Sequence, residues 1–127
     1  APEIQAVNER FAGSVQVKLD RRERLVFDFF DASGRFRQDV VPAELLDAEQ
    51  LHYSPEENAI ILVCKSTAAQ CITKEIFKMN TIRSTGRSNL PISAGDIDGA
   101  GTIQDLGALI RKVQEHMNSL SETRQAP

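Results

Sequence analysis

Residues 4–19, Ile-Gln-Ala-Val-Asn-Glu-Arg-Phe-Ala-Gly-Ser-Val-Gln-Val-Lys-Leu, decide the fold class, because the apolar period changes inside them. Ile4, Val7 and Phe11 fall at i, i+3 and i+7, one stripe of a short helix that Gly13 ends. From Ser14 to Leu19 the residues alternate instead. Val15, Val17 and Leu19 take one face and Ser14, Gln16 and Lys18 the other, as in a half-buried strand.

The strand period continues outward from there. Leu25, Phe27 and Phe29 alternate in the same way, Asp31-Ala32-Ser33-Gly34 supplies turn residues with Gly34 suited to positive φ, and Phe36, Val40 and Val41 follow. Three antiparallel strands are expected in succession. Pro42 can open a helical turn through Leu46, since a proline at the first helical position lacks only an N–H that would be unpaired anyway. A strand is expected around Leu51-His52-Tyr53, a turn at Pro55–Asn58, and a central strand at Ala59–Cys64, the most apolar run. Residues 70–79 read as a hairpin partner to it, although Ile72, Ile76 and Met79 also suit a helix. Ser84–Ser88 reads as loop and Asn89–Ile92 as a short edge strand, because Pro91 cannot donate to a ladder.

The closing element is a helix. Ile103, Leu106, Ile110, Val113, Met117 and Leu120 recur at spacings of three and four, one core-facing stripe over five turns. The fold class is therefore α+β: a bent, mostly antiparallel sheet of about six or seven short strands, with an N-terminal helix and a long C-terminal amphipathic helix. That order resembles the pleckstrin-homology-like superfold. The resemblance implies a lipid-binding, peptide-binding or purely structural role and carries no diagnostic motif. A sandwich of another topology stays open beside it.

Composition bounds the rest. A chain of 127 residues, 41% apolar and 26% charged, suits one domain that buries a core without staples or metals, expected over 1–120 with 121–127 as a flexible tail or linker. The net charge of -3 argues against nucleic acid as a partner, which needs an excess of Lys and Arg. No apolar run approaches the ~18 residues of a membrane span. The first residues, Ala-Pro-Glu, and the polar end suit a domain cut from a larger protein, with a neighbouring domain or protein partner expected.

Few stretches point to chemistry. Asp96-Ile97-Asp98-Gly99-Ala100-Gly101-Thr102-Ile103 resembles the first half of an EF-hand or dockerin-type calcium loop, with Asp96, Asp98, Gly101 and Ile103 at the first, third, sixth and eighth positions. Ala100 and Gly107 occupy the fifth and twelfth, where side-chain oxygens are needed. The alternative is a helix entrance, with Thr102 as cap and Asp105 as its capping-box partner. No metal or cofactor is favoured. Cys64 and Cys71 flank a short loop and would face each other across a hairpin, within disulfide reach. A bridge would suit an extracytoplasmic protein and two reduced thiols a cytosolic one, and the compartment is otherwise unknown. C-x6-C is neither a zinc nor a redox spacing.

His52 and His116 are the available bases for a small enzyme, yet neither lies in an elbow or Gly-rich loop, and no catalytic motif is present. Charge is segregated. Residues 39–58 hold six acids and no Lys or Arg, whereas 65–87 hold five bases against Glu75. Lys74, Lys78, Arg83 and Arg87 could receive an anion, phosphopeptide or phosphoinositide headgroup, or they could be a solvated face. The expected function is a non-catalytic interaction or regulatory module docking a protein through a sheet edge or this basic loop. Anion binding is the first alternative, and a small enzyme or degenerate calcium domain the last.

Overall fold

The computed structural model describes residues 1–125, so Ala126 and Pro127 of the expected tail lie outside the described residues. Helix α1 spans Pro2–Phe11, with proline in its first turn and Val7 and Phe11 fully buried. It ends at Ala12, which takes the left-handed conformation (φ 52°) and donates its N–H to the carbonyls of Asn8 and Glu9.

Strands β1 (Val15–Leu19), β2 (Arg24–Asp31) and β3 (Gly34–Pro42) pair in sequence, as their alternation predicts. Then come β4 (His52–Ser54), β5 (Ala59–Val63), β6 (Ile72–Ile76), β7 (Thr81–Thr85) and β8 (Arg87–Pro91). Every pairing is antiparallel, and the eight strands form two sheets, ordered β1-β2-β3-β6-β7 and β4-β5-β8. The most apolar strand, β5, is central in the smaller sheet.

Two local expectations are corrected. β6 does not fold back on β5: β4 and β8 occupy the two sides of β5, while β6 lies between β3 and β7. Ser84–Ser88 is not a loop either, since β7 runs into β8 with only Gly86 between them. A side chain is barred there, because a Cβ on Gly86 would sit 2.5 Å from the carbonyl oxygen of Ala69. Cys64 and Cys71 are bridged, with Cα atoms 5.9 Å apart. The bridge ties the end of β5 to the start of β6, and hence one sheet to the other, rather than closing a hairpin.

Helix α2 runs Ala100–Gln125, so the described part of 121–127 continues its last turns. Leu106, Leu109, Ile110 and Val113 are buried against Phe11, Phe27, Leu62 and Leu90 in one core. Each such aliphatic contributes about 1.5–3 kcal/mol by leaving water. Gln114 fastens the helix laterally, donating to the carbonyls of Ala43 and Leu46. No described helix is long and apolar enough to cross a membrane.

Candidate functional site

The register of the larger sheet sets one row of side chains on its inward face: Phe27, Asp39, Lys74 and Arg83, on β2, β3, β6 and β7. Along it the environment grades from core to solvent. Phe27 and Asp39 are fully buried, Lys74 is half-buried and Arg83 is exposed. A carboxylate buried at Asp39 has to be paired, and it is. Arg37, two residues earlier on the same face, donates through Nε to Oδ1 (2.9 Å) and through Nη2 to Oδ2 (2.7 Å), and the Ser88 hydroxyl of β8 adds a third bond. The same guanidinium stacks over Phe29 at 3.9 Å and donates to Asn89 Oδ1 at 3.0 Å. Arg37 and Asp39 thereby hold β8 onto the inward face of the larger sheet.

Lys74 gains little from this network, because Asp39 is already shared among Arg37 and Ser88. Burial pushes its ammonium below the usual lysine range, and the neighbouring positive charges of Arg37, Arg83 and Arg87 push the same way against the pull of Asp39. Among the described residues neither Lys74 nor Arg83 forms an ion pair. Arg87 does. Its guanidinium clamps Glu57 with contacts of 3.1 and 2.6 Å, which hold the Glu57 carboxyl below and the Arg87 guanidinium above their ordinary ranges. Lys78 is exposed in the β6–β7 turn. The four bases therefore divide: Lys74 and Arg83 face each other across β6–β7, Arg87 is engaged on β8, and Lys78 stands on the turn.

The two edges of this sheet are β1 and β7. The side-chain amide of Asn8 bridges β1 at its central residue, accepting from the Val17 N–H (2.6 Å) and donating to the Val17 carbonyl (3.1 Å), as a neighbouring strand would at that position. β7 has no such cover. Among the described residues no group beyond β6 bonds the main chain of Thr81–Ser84, and Ile82 and Met79 beside it are 66% and 68% exposed.

The 96–103 stretch opens α2, through different residues from those expected. Asp96 is the cap, accepting from the backbone N–H groups of Gly101 and Thr102 (2.9 Å each) and from the Thr102 hydroxyl. Thr102 is buried and donates, and Asp105 pairs with Arg10 of α1 at 2.8 Å instead of closing a capping box. Burial raises the Asp96 carboxyl, but the bonds from Thr102 and Gly101 outweigh it and hold the group below its ordinary value. Asp98 is exposed with φ 54°, and Gly99 (φ 65°) packs so close to Ile60 and Ile92 that a side chain would collide with both. Among the described residues no three His, Cys, Asp or Glu gather as metal ligands.

The histidines lie on separate elements. His52 Nδ1 is 2.8 Å from the Gln50 carbonyl on β4's approach, and His116 Nε2 is 3.1 Å from Glu23 Oε1. His116 rims an apolar recess of about 120 Å³ between α1, α2 and the β1–β2 turn, lined by Ile4, Leu19, Leu109 and Val113. It shares no residue with the cationic row.

Asn8, Arg37, Asp39 and Ser88 were missed as site-forming residues in the sequence. One signal existed for Asp39: it alternates with Val41 and so points inward, where a carboxylate must find a buried cation. No protein-family model, curated protein or solved structure significantly matches the chain, so the geometry of these edges is what bears on function.

Proposed function

We propose that this protein is a non-catalytic interaction module that receives an extended segment of a partner protein along β7. The observation that carries this reading is the unequal treatment of the two edges, one packed under α1 and bridged at its central residue, Val17, by Asn8, the other without such a contact among the described residues and beside exposed Ile82. An open edge offers a ready row of donors and acceptors, and strand addition is a standard mode of peptide capture. Self-pairing is disfavoured, because a two-fold β7–β7 pair centred on this strand sets Arg83 against Arg83, and like charges directly opposed repel. The Cys64–Cys71 bridge supports residence in an oxidising compartment. The rival use of Lys74, Lys78, Arg83 and Arg87 together as a headgroup site requires breaking the Arg87–Glu57 clamp.

The test is selection of short linear peptides displayed on phage, followed by amide chemical-shift mapping. The largest shifts are expected at residues 81–85, with protection of their amides from exchange. A selection that returns no peptide, or one whose peptides perturb the α1–α2 recess or the 96–103 loop and leave β7 unmoved, overturns the proposal.

A further inference from the structure

Among the described residues neither cation of the row, Lys74 or Arg83, forms an ion pair, and the row ends at the uncovered edge. Lys74 and Arg83 are directly opposed across β6 and β7 on the inward face, whereas Ile82, the next residue, projects to the outward face opposite Glu75. A strand added beside β7 continues both rows. Its residue opposite Arg83 points to the inward face, and its neighbour in sequence, opposite Ile82, points outward, because side chains alternate along a strand.

We propose that β7 selects a partner strand carrying an acidic residue opposite Arg83 and, adjacent to it in sequence, an apolar residue opposite Ile82. This rests on strand addition at β7, and it specifies what the added strand must contain. The acidic side chain is called for by two cations without an ion pair among the described residues, one of them half-buried beside an Asp39 that Arg37 and Ser88 already satisfy. Directly opposed residues in an antiparallel pair bring their Cβ atoms to about 5 Å, within reach of a carboxylate–guanidinium bond. The apolar side chain is called for by Ile82, which is 66% exposed with Met79 close in the chain at 68%. Covering them removes apolar surface from water on the face away from the charge.

Burial chiefly, and then the positive charges of Arg37, Arg83 and Arg87, lower the Lys74 ammonium, and a carboxylate in the row would oppose the second of these. A flat membrane surface fits less well. Lys74 is half-buried on the sheet face that β8 overlies through Arg37, Ser88 and Asn89, and exposed Arg87 is engaged by Glu57, so of these four bases a planar array of headgroups meets only Arg83 and Lys78 free of an ion pair.

The experiment uses the peptides that bind β7 by the shift mapping above, synthesised with Glu, Gln, phosphoserine or Lys at the position opposite Arg83. Glu is expected to bind about fivefold tighter than Gln, the upper range for one cross-strand charge pair, and Lys more weakly than either. Arg83→Glu should reverse that order, so that the Lys peptide regains what the Glu peptide loses, and Lys74→Met should reduce the preference for Glu without abolishing binding. Phosphoserine binding more tightly than Glu would extend the anionic requirement to the phosphoryl group. Equal affinity of the Glu and Gln peptides, or a charge reversal that fails to swap the order, overturns the inference while strand addition stands. Loss of the 81–85 shifts for every peptide instead removes strand addition itself.

Discussion

The strands at the two ends of the larger sheet are equally long, five residues each, yet the molecule treats them in opposite ways. At β1 the Asn8 amide supplies the donor and acceptor of a missing neighbour, α1 lies over the strand, and Val15 and Val17 are buried. At β7 the only charged residue is Arg83, and the single large apolar side chain faces water. Charged residues on an edge are a common guard against unwanted pairing, and under the proposal above Arg83 disfavours basic strands and self-pairing while admitting an acidic one. One edge is thus covered by the fold, whereas the other is uncovered among the described residues.

The largest blow to either edge should come from between them. Asp39→Ala leaves the half-buried Arg37 without its carboxylate and the Ser88 hydroxyl without its acceptor, and is expected to lose about 3 kcal/mol in urea unfolding, loosening β8 as well as the row. A loss no greater than that of an exposed pair such as Glu57–Arg87 would show that the network does not hold the sheets together.

Removing the bridge acts on one edge only. Cys64→Ala with Cys71→Ala should lower stability by about 2–3 kcal/mol by the loop-closure relation. Since the bridge anchors the start of β6, amide exchange should quicken in β6 and β7 and stay slow in β1. Uniform acceleration across the sheet would deny the asymmetry.

Next comes the seal itself. Asn8→Ala strands the Val17 N–H and carbonyl and is expected to lose about 1–3 kcal/mol, with the Val17 amide exchanging faster than its β2 neighbours. Opening β1 this way should also promote concentration-dependent association, which the intact protein's β7 does not show if Arg83 guards it.

A smaller effect is expected at the entrance of α2. Asp96→Ala removes the cap and should lose about 0.5–2 kcal/mol. Because the folded carboxyl titrates below its unfolded value, this contribution is complete above the unfolded pKa and disappears as pH falls through the folded one. The stability difference between the native protein and the variant should therefore shrink on acidification below about pH 4. A difference that is constant with pH would mean that Asp96 is not ionised at the cap.

Much of this was legible in the chain, and what was not has physical reasons. The periods of 4–19 and 103–120 gave both helices and β1, because apolar spacing reports which face meets the core. The Cys64–Cys71 bridge followed from seven residues of separation and one tight corner, yet the hairpin inferred from the same spacing did not form, because short loops permit a change of sheet as readily as a turn. The pairing of β3 with β6 spans the β4–β5 hairpin, and no local pattern encodes it. β7 was missed over most of its length because Thr-Ile-Arg-Ser-Thr, at an uncovered edge, has one apolar residue and no alternation to see. Asn8 was invisible for a related reason, being a polar residue on the polar side of α1 until β1 comes to lie beneath it.

The smallest expected effect on stability is also the most direct probe of the open edge. Ile82→Lys exchanges a side chain that is 66% exposed for a charged one on the outward face of β7, opposite Glu75. Surface changes of this kind stay within about 0.5 kcal/mol, and the new ammonium gains a cross-strand carboxylate, so urea unfolding should barely move. Peptide binding should fall sharply, because the apolar contact is lost and lysine is a standard guard on sheet edges. Asn8→Ala and Ile82→Lys thus form a crossed pair, the first lowering stability and sparing capture at β7, the second doing the reverse. An Ile82→Lys protein as destabilised as Asn8→Ala would show that Ile82 supports the fold from its exposed position, and β7 would then be a second structural edge rather than a docking strand.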